Sequence, residues 1–135
     1  MANALFDKGR EGILDHSIDM TAATVKLALV RGYTFSASHQ NLSDVTGAGG
    51  SVVGTAQALA SKTYTSGVLS AAAVTYSAVA SGAAIPALVL YNDTGTASTS
   101  RLIAYIDTAT GLPVTPNGGD ITFTPDSGSN HIFKL

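Results

Sequence analysis

Apolar residues recur with a period of two along most of this chain. Residues 24–31, TVKLALVR, set Val25, Leu27 and Leu29 on one side and Lys26, Ala28 and Val30 on the other, which predicts a strand. Comparable short apolar runs at 52–59, 62–65, 68–79, 85–91, 101–107, 120–124 and 131–135 bring the expectation to about eight strands. Turn-forming clusters separate them: Ser66-Gly67, Ser81-Gly82, Asn92-Asp93-Thr94-Gly95, Thr110-Gly111, Asn117-Gly118-Gly119 and Ser127-Gly128 all supply residues that tolerate positive φ. Pro113, Pro116 and Pro125 fall at or beyond strand ends, whereas Pro86 lies inside a strand pattern and marks an edge or a bulge. This spacing predicts an all-β sandwich or barrel with antiparallel strands.

Two regions break the alternation. Near the N-terminus, Leu5, Ile13 and Leu14 can share one face of a short helix with Asn3 as its N-cap, although Gly9 and Gly12 each weaken a helix by roughly 1 kcal/mol relative to alanine. Residues 34–50 are polar and end in Gly47, Gly49 and Gly50, which predicts a long loop with one helical turn around 41–45. The expected organisation is a single domain over 1–135, with an N-terminal helix or arm at 1–20 and the β-sandwich at 21–135. Its core is expected to hold Leu27, Leu29, Val89, Leu102, Ile106, Ile121 and Ile132, each contributing up to ~1.5–3 kcal/mol when fully buried.

Composition narrows the functional classes. The 135 residues are 45% hydrophobic but only 12% charged, about half the ~25% of an ordinary soluble domain. Much of the surface must therefore be Ala, Gly, Ser and Thr, which suits contact with other protein. The net charge is -2 and the seven Lys and Arg are scattered singly, so no basic stripe exists to neutralise phosphates and direct nucleic-acid binding is not expected. Cysteine is absent, which excludes disulfides and cysteine-ligated metals. The first dozen residues mix acids and bases without the apolar run of a secretory signal. The weakly polar stretch 68–84 is interrupted by Ser, Thr, Tyr and Gly, so no membrane span is expected.

Little in the chain suggests catalysis. His16, His39 and His131 lie in three separate segments, with no i, i+4 pair and no cysteine beside them, so no metal site and no cofactor are expected. Asp93, Asp107, Asp120 and Asp126 occupy turn positions where side-chain bonds to backbone account for them. Asp126, Ser127 and His131 could be assembled into a nucleophilic triad on paper, but the GxSxG elbow is missing. The run Thr46-Gly47-Ala48-Gly49-Gly50 lacks the Lys-Ser/Thr ending of a phosphate loop and precedes a strand, so it reads as a flexible loop. Among the aromatics, Tyr91 and Tyr105 are the best candidates for a shared surface patch, with core packing or an oligomer contact the simpler expectation.

Two blocks carry a resemblance. NALFDKGREGILDHSID at 3–19, and residues 87–135, especially YNDTG, RLIAYIDTATGLPVTPNGGDI and the closing IFKL, resemble the small capsid cement or head-decoration proteins of tailed bacteriophages. Together they cover about half the chain. It departs from that family's pattern at Met20 and Phe123, where tryptophan is usual.

The resemblance implies a jelly-roll-like sandwich and a non-enzymatic virion protein, made in a bacterial host and bound outside an HK97-type shell. Its implied partners are the major capsid protein and further copies of itself, as a dimer or trimer; a tail, fibre or baseplate component, binding other virion proteins or glycan, is the alternative. The residues expected at capsid or oligomer contacts are Leu5, Phe6, Lys8, Arg10, Phe35 and Asn41, because the N-terminal segment and the 34–50 loop lie outside the regular strand pattern, together with Tyr91 and Tyr105 as the candidate shared patch.

Overall fold

The computed structural model describes residues 3–21, 24–109, 112–125 and 132–134. The fold is all-β with antiparallel ladders and two short helices. In chain order the elements are β1 (Ala4–Leu5), α1 (Asp7–Leu14), β2 (Val25–Arg31), α2 (Leu42–Gly47), β3 (Ser51–Ala58), β4 (Val68–Leu69), β5 (Val74–Tyr76), β6 (Ala87–Asn92), β7 (Arg101–Ile106), β8 (Ile121–Phe123) and β9 (Phe133–Lys134). A five-stranded sheet in the order β1-β7-β6-β2-β3 forms one layer, and the ladders β4-β9 and β5-β8 lie across one of its faces.

The alternation expected for β2 is present, and both of its sides are buried. Val25, Leu27 and Leu29 point with Leu88, Leu90, Ile103 and Ile106 into the main core, where they meet Leu69, Val74, Tyr76, Phe123 and Ile132 of the second layer. Ala28 and Val30 point the other way and join Val89, Tyr91, Leu102 and Tyr105 in a second core. Because β2, β6 and β7 are covered on both faces, they read as nearly continuous apolar runs, as strands of a doubly covered sheet do. Of the expected core residues, Leu27, Leu29, Val89, Leu102, Ile106 and Ile132 are buried, and Ile121 is half-buried against the main core. The Tyr76 hydroxyl donates to the Leu27 carbonyl at 2.7 Å, pinning the second layer to the central strand.

Several elements differ from the sequence reading. Residues 62–65 form no strand; Thr63 makes an isolated bridge to Ser70. The run 68–79 splits into β4 and β5 with Ser70–Ala73 between them, and Ala78 takes a left-handed φ of 48° beyond β5. Pro86 sits between the Ile85–Val114 bridge and the start of β6, outside the ladder that needs a donor.

Asn3 does not cap the helix, which begins at Asp7 with Phe6 as the preceding residue. Instead its side-chain oxygen accepts from the backbone N–H groups of Asp107 (2.9 Å) and Thr108 (2.8 Å), while its amide donates to the Thr108 carbonyl (3.1 Å). The turns at Thr110-Gly111 and Ser127-Gly128 lie outside the described residues.

One edge of the sheet is β3, whose eight residues carry no charge. Between the Leu27–Gln57 and Leu29–Val53 pairs, Gly54, Thr55 and Ala56 stand opposite the single residue Ala28, and Gly54 adopts a φ of +67°. The outcome is a broad bulge in the middle of the edge.

Candidate functional site

The second face of the sheet is covered by the two segments that fall outside the strand pattern, and they meet there. The chain enters at β1, paired with β7 through Ala4–Tyr105 and Leu5–Ala104. The Phe6 N–H then donates to the Ile103 carbonyl at 3.0 Å, and the Asp7 N–H to the Ala37 carbonyl of the long loop at 3.0 Å. Farther along β7 the loop takes over: the Leu102 N–H donates to the Gln40 carbonyl at 2.9 Å, and Asn41 bridges Arg101. The Arg101 guanidinium reaches across to the Lys8 carbonyl at 2.6 Å. Thus the exposed side of β7 is closed by the N-terminal segment at one end and the loop at the other.

An aromatic cluster fills the space under this cover. Phe35 lies between Phe6 and Tyr105, with ring centroids 5.1 Å from each, and stacks on the tyrosine. Tyr33 meets Tyr105 edge-on at 5.9 Å, and its hydroxyl pairs with Nδ1 of His39 at 2.6 Å. Such ring pairs contribute ~0.5–1.5 kcal/mol each beyond their burial.

The loop is held by α2. The Asp44 carboxylate accepts from the Asn41 N–H at 3.0 Å and the Gln40 N–H at 2.7 Å; these bonds keep its carboxyl below the usual aspartate range. Gly50 closes the loop tightly, since a Cβ there would stand 2.8 Å from both the Val45 carbonyl and the Tyr33 Cβ. This end of the 46–50 run is packed structure where the sequence suggested a flexible loop.

The residues expected at contacts therefore divide. Phe6 (0% exposed), Tyr91 (5%) and Tyr105 (7%) are interior to the monomer, and Phe35 is half-buried on top of them. Burial pushes the phenols of Tyr91 and Tyr105 up. Leu5 is half-buried against the main core. Asn41 is half-buried at the start of α2. Lys8 pairs with Glu11 and Arg10 with Asp7, each at 2.6 Å along one exposed face of α1. That face, rather than the aromatics, is what the N-terminal segment presents to solvent. The pairing of Tyr33 with His39 has no local sequence signal, although Tyr33 and Phe35, two aromatics two residues apart at the start of a polar segment, mark a loop that packs on a sheet.

At the far end of α1, a shallow pocket of about 470 Å³ is lined by Ile13, His16, Ile18, Asp19 and Met20. Leu14, which follows Ile13 in α1, is 80% exposed, and Tyr64, 45% exposed, donates its hydroxyl to the Met20 carbonyl at 2.7 Å. These are the exposed large hydrophobic side chains among the described residues.

The described residues contain no group of three or more His, Asp and Glu side chains able to hold a metal. His16 sits at an exposed turn and His39 on Tyr33, while Asp126, Ser127 and His131 lie outside the described residues. No helix is long and apolar enough to cross a membrane among the described residues. In comparisons with known proteins, no family model and no curated protein matches the chain.

Proposed function

We propose that this chain is a non-enzymatic structural protein of a tailed-phage virion, a cement protein that binds the major capsid protein on the outside of an HK97-type shell. The observation that carries this reading is the union of the two blocks that resemble the cement family. Residues 3–19 and 87–135 are far apart in the chain, yet Asn3 clasps Asp107 and Thr108, β1 pairs with β7, and Arg101 bonds the Lys8 carbonyl. The two blocks thus meet in the fold: β1 of the first adds to the β7-β6 pair of the second, while β2, β3, β4 and β5 lie outside both.

The physics of the role is mass action. A protein that binds the assembled shell and not its separated subunits stabilises the shell against the pressure of packaged DNA. Many weak contacts repeated over a lattice add by avidity, and a closed dimer or trimer would match the symmetry of neighbouring sites. A chain with only 12% charged residues is suited to such contacts.

Co-sedimentation of the purified protein with shells that lack it, before and after expansion, tests the proposal. Saturable binding at a simple ratio to capsid subunits, with a raised disruption temperature of the expanded shell, is the expected result. Failure to bind either shell form would overturn it in favour of a tail, fibre or baseplate role.

A further inference from the structure

The turn at 117–120 carries a chemistry that the virion role does not use. Asn117 is the one asparagine of the chain followed by glycine, and both residues are exposed. Asn-Gly is the dipeptide best suited to intramolecular imide formation, because no side chain shields the glycine nitrogen from the amide before it. Gly118 adopts a φ of +91°, and no atom beyond its chain neighbours lies within 4 Å of the place a Cβ would take, so the site is open to water.

The two groups that would react are held in opposite ways. The Asn117 side-chain oxygen accepts from the Gly119 N–H at 3.0 Å, a bond that would stabilise the negative charge developing on that oxygen when Cγ is attacked. The nucleophile is restrained. The Gly118 N–H donates to the Val79 carbonyl at 2.8 Å, and the Val79 N–H donates back to the Gly119 carbonyl at 3.0 Å. Asp120 adds a third tie, its carboxylate accepting from the Ala78 N–H at 2.9 Å, and beyond it β8 pairs with β5 through Tyr76–Ile121. While the Gly118 hydrogen is bound to a carbonyl, solvent cannot take it, so attack must wait for the turn to part from residues 78–79.

We propose, independently of the cement reading, that Asn117 is a site of spontaneous covalent modification gated by the pairing of Gly118 with Val79. On release, the Gly118 nitrogen gives its proton to water or hydroxide and attacks Cγ of Asn117. The new C–N bond closes a succinimide, and the side-chain nitrogen takes up a proton and leaves as ammonia. Water then adds to one of the two ring carbonyls and the C–N bond there breaks, giving aspartate or isoaspartate. Both products add a carboxylate near Asp120. Isoaspartate also inserts a methylene into the main chain, which draws the Gly118 N–H out of line with Val79 and leaves the end of the β5-β8 ladder loosened.

The test ages the full-length protein at alkaline pH, folded and in urea, and reads each asparagine by peptide mass spectrometry with enzymatic labelling of isoaspartate. In urea, Asn117 is expected to convert faster than the other asparagines, and about tenfold or more faster than in the folded protein. Asp120→Ala, which removes the acceptor for Ala78, should speed conversion in the folded protein severalfold, whereas Asp120→Asn, which keeps an acceptor, should restore the wild-type rate. Should Asp120→Ala not fold, the wild type supplies the same comparison, since Gly118 amide exchange and Asn117 conversion should rise in parallel at low urea. Equal rates in folded and unfolded chains, an unchanged rate in folded Asp120→Ala, or conversion that does not follow Gly118 exchange overturns the gate. An unmodified Asn117 in the unfolded chain overturns the site itself.

Discussion

Gly9 of α1 lies so close over β7 that a Cβ would stand 2.6 Å from the Leu102 carbonyl oxygen and 2.8 Å from the Ile103 Cα. Both neighbours are backbone of a central strand and cannot yield. Gly9→Ala should therefore lower the denaturant midpoint, with the ~1–3 kcal/mol cost of overpacking exceeding the roughly 1 kcal/mol gained in helix propensity. Gly12→Ala should also cost stability, because a Cβ there would stand 2.5 Å from Cδ1 and 2.7 Å from Cγ1 of the buried Ile18, whose whole side chain must turn to make room. Equal stability of Gly9→Ala and the wild type in urea would contradict this packing.

Asn3 ties the start of the chain to the end of β7 through three hydrogen bonds. Asn3→Ala should cost about 1–2 kcal/mol. It should also speed amide exchange at Asp107 and Thr108 before the interior of β6 is affected. Deletion of residues 1–12 is a harsher change: it removes β1 and Phe6, whose side chain is completely buried. That truncation should destabilise the whole domain, so point variants on the exposed face of α1 are the cleaner probes of binding.

Burial is the leading cause raising the phenols of Tyr33, Tyr64, Tyr76, Tyr91 and Tyr105, with the Tyr76 phenol moved furthest. A folded-state pKa above the unfolded value means that the unfolded chain loses protons first as the solution becomes alkaline. The stability present below pH ~10 should then decline as pH rises above it. Tyrosinate absorbance at 295 nm should appear together with loss of the β-sheet circular dichroism. In Tyr76→Phe, loss of the bond to the Leu27 carbonyl should cost about 1 kcal/mol at neutral pH. Ionisation of all five phenols in a still-folded protein would refute the burial pattern.

The Asp44 carboxyl is held low chiefly by the Asn41 N–H, then by that of Gln40. Its contribution is present above the unfolded aspartate value and is lost as pH falls through the lower folded value. The Gln40 and Asn41 amide resonances should report that titration, and Asp44→Ala should remove it while loosening residues 33–50. Persistence of the acid transition at both amides in Asp44→Ala would assign it to another group.

The central strands were readable in the sequence because their apolar residues are long, β-branched or leucine-rich and are bounded by glycine-containing turns. β2, β6 and β7 fall within a residue or two of their expected limits. The second layer was harder to read, since its ladders are only two or three residues long and the Ala-rich run between β4 and β5 alternates without forming one strand. Tyr91 and Tyr105 look the same in sequence whether they face solvent or a covering loop, and only the return of Phe35 over Tyr105 decides the matter. For Asn3, an N-cap and a clasp on a distant strand require the same side-chain chemistry, and pairing across more than a hundred residues leaves no local signal.

The bulge in β3 also governs how this molecule behaves in a crowd. Its outer edge has no lysine, aspartate or proline to discourage a foreign strand, so shape must do what charge does elsewhere. Gly54, in its left-handed conformation, keeps the edge from lying flat over its whole length. A β-branched residue at that position would press the backbone toward a straight ribbon and favour edge-to-edge association at high concentration.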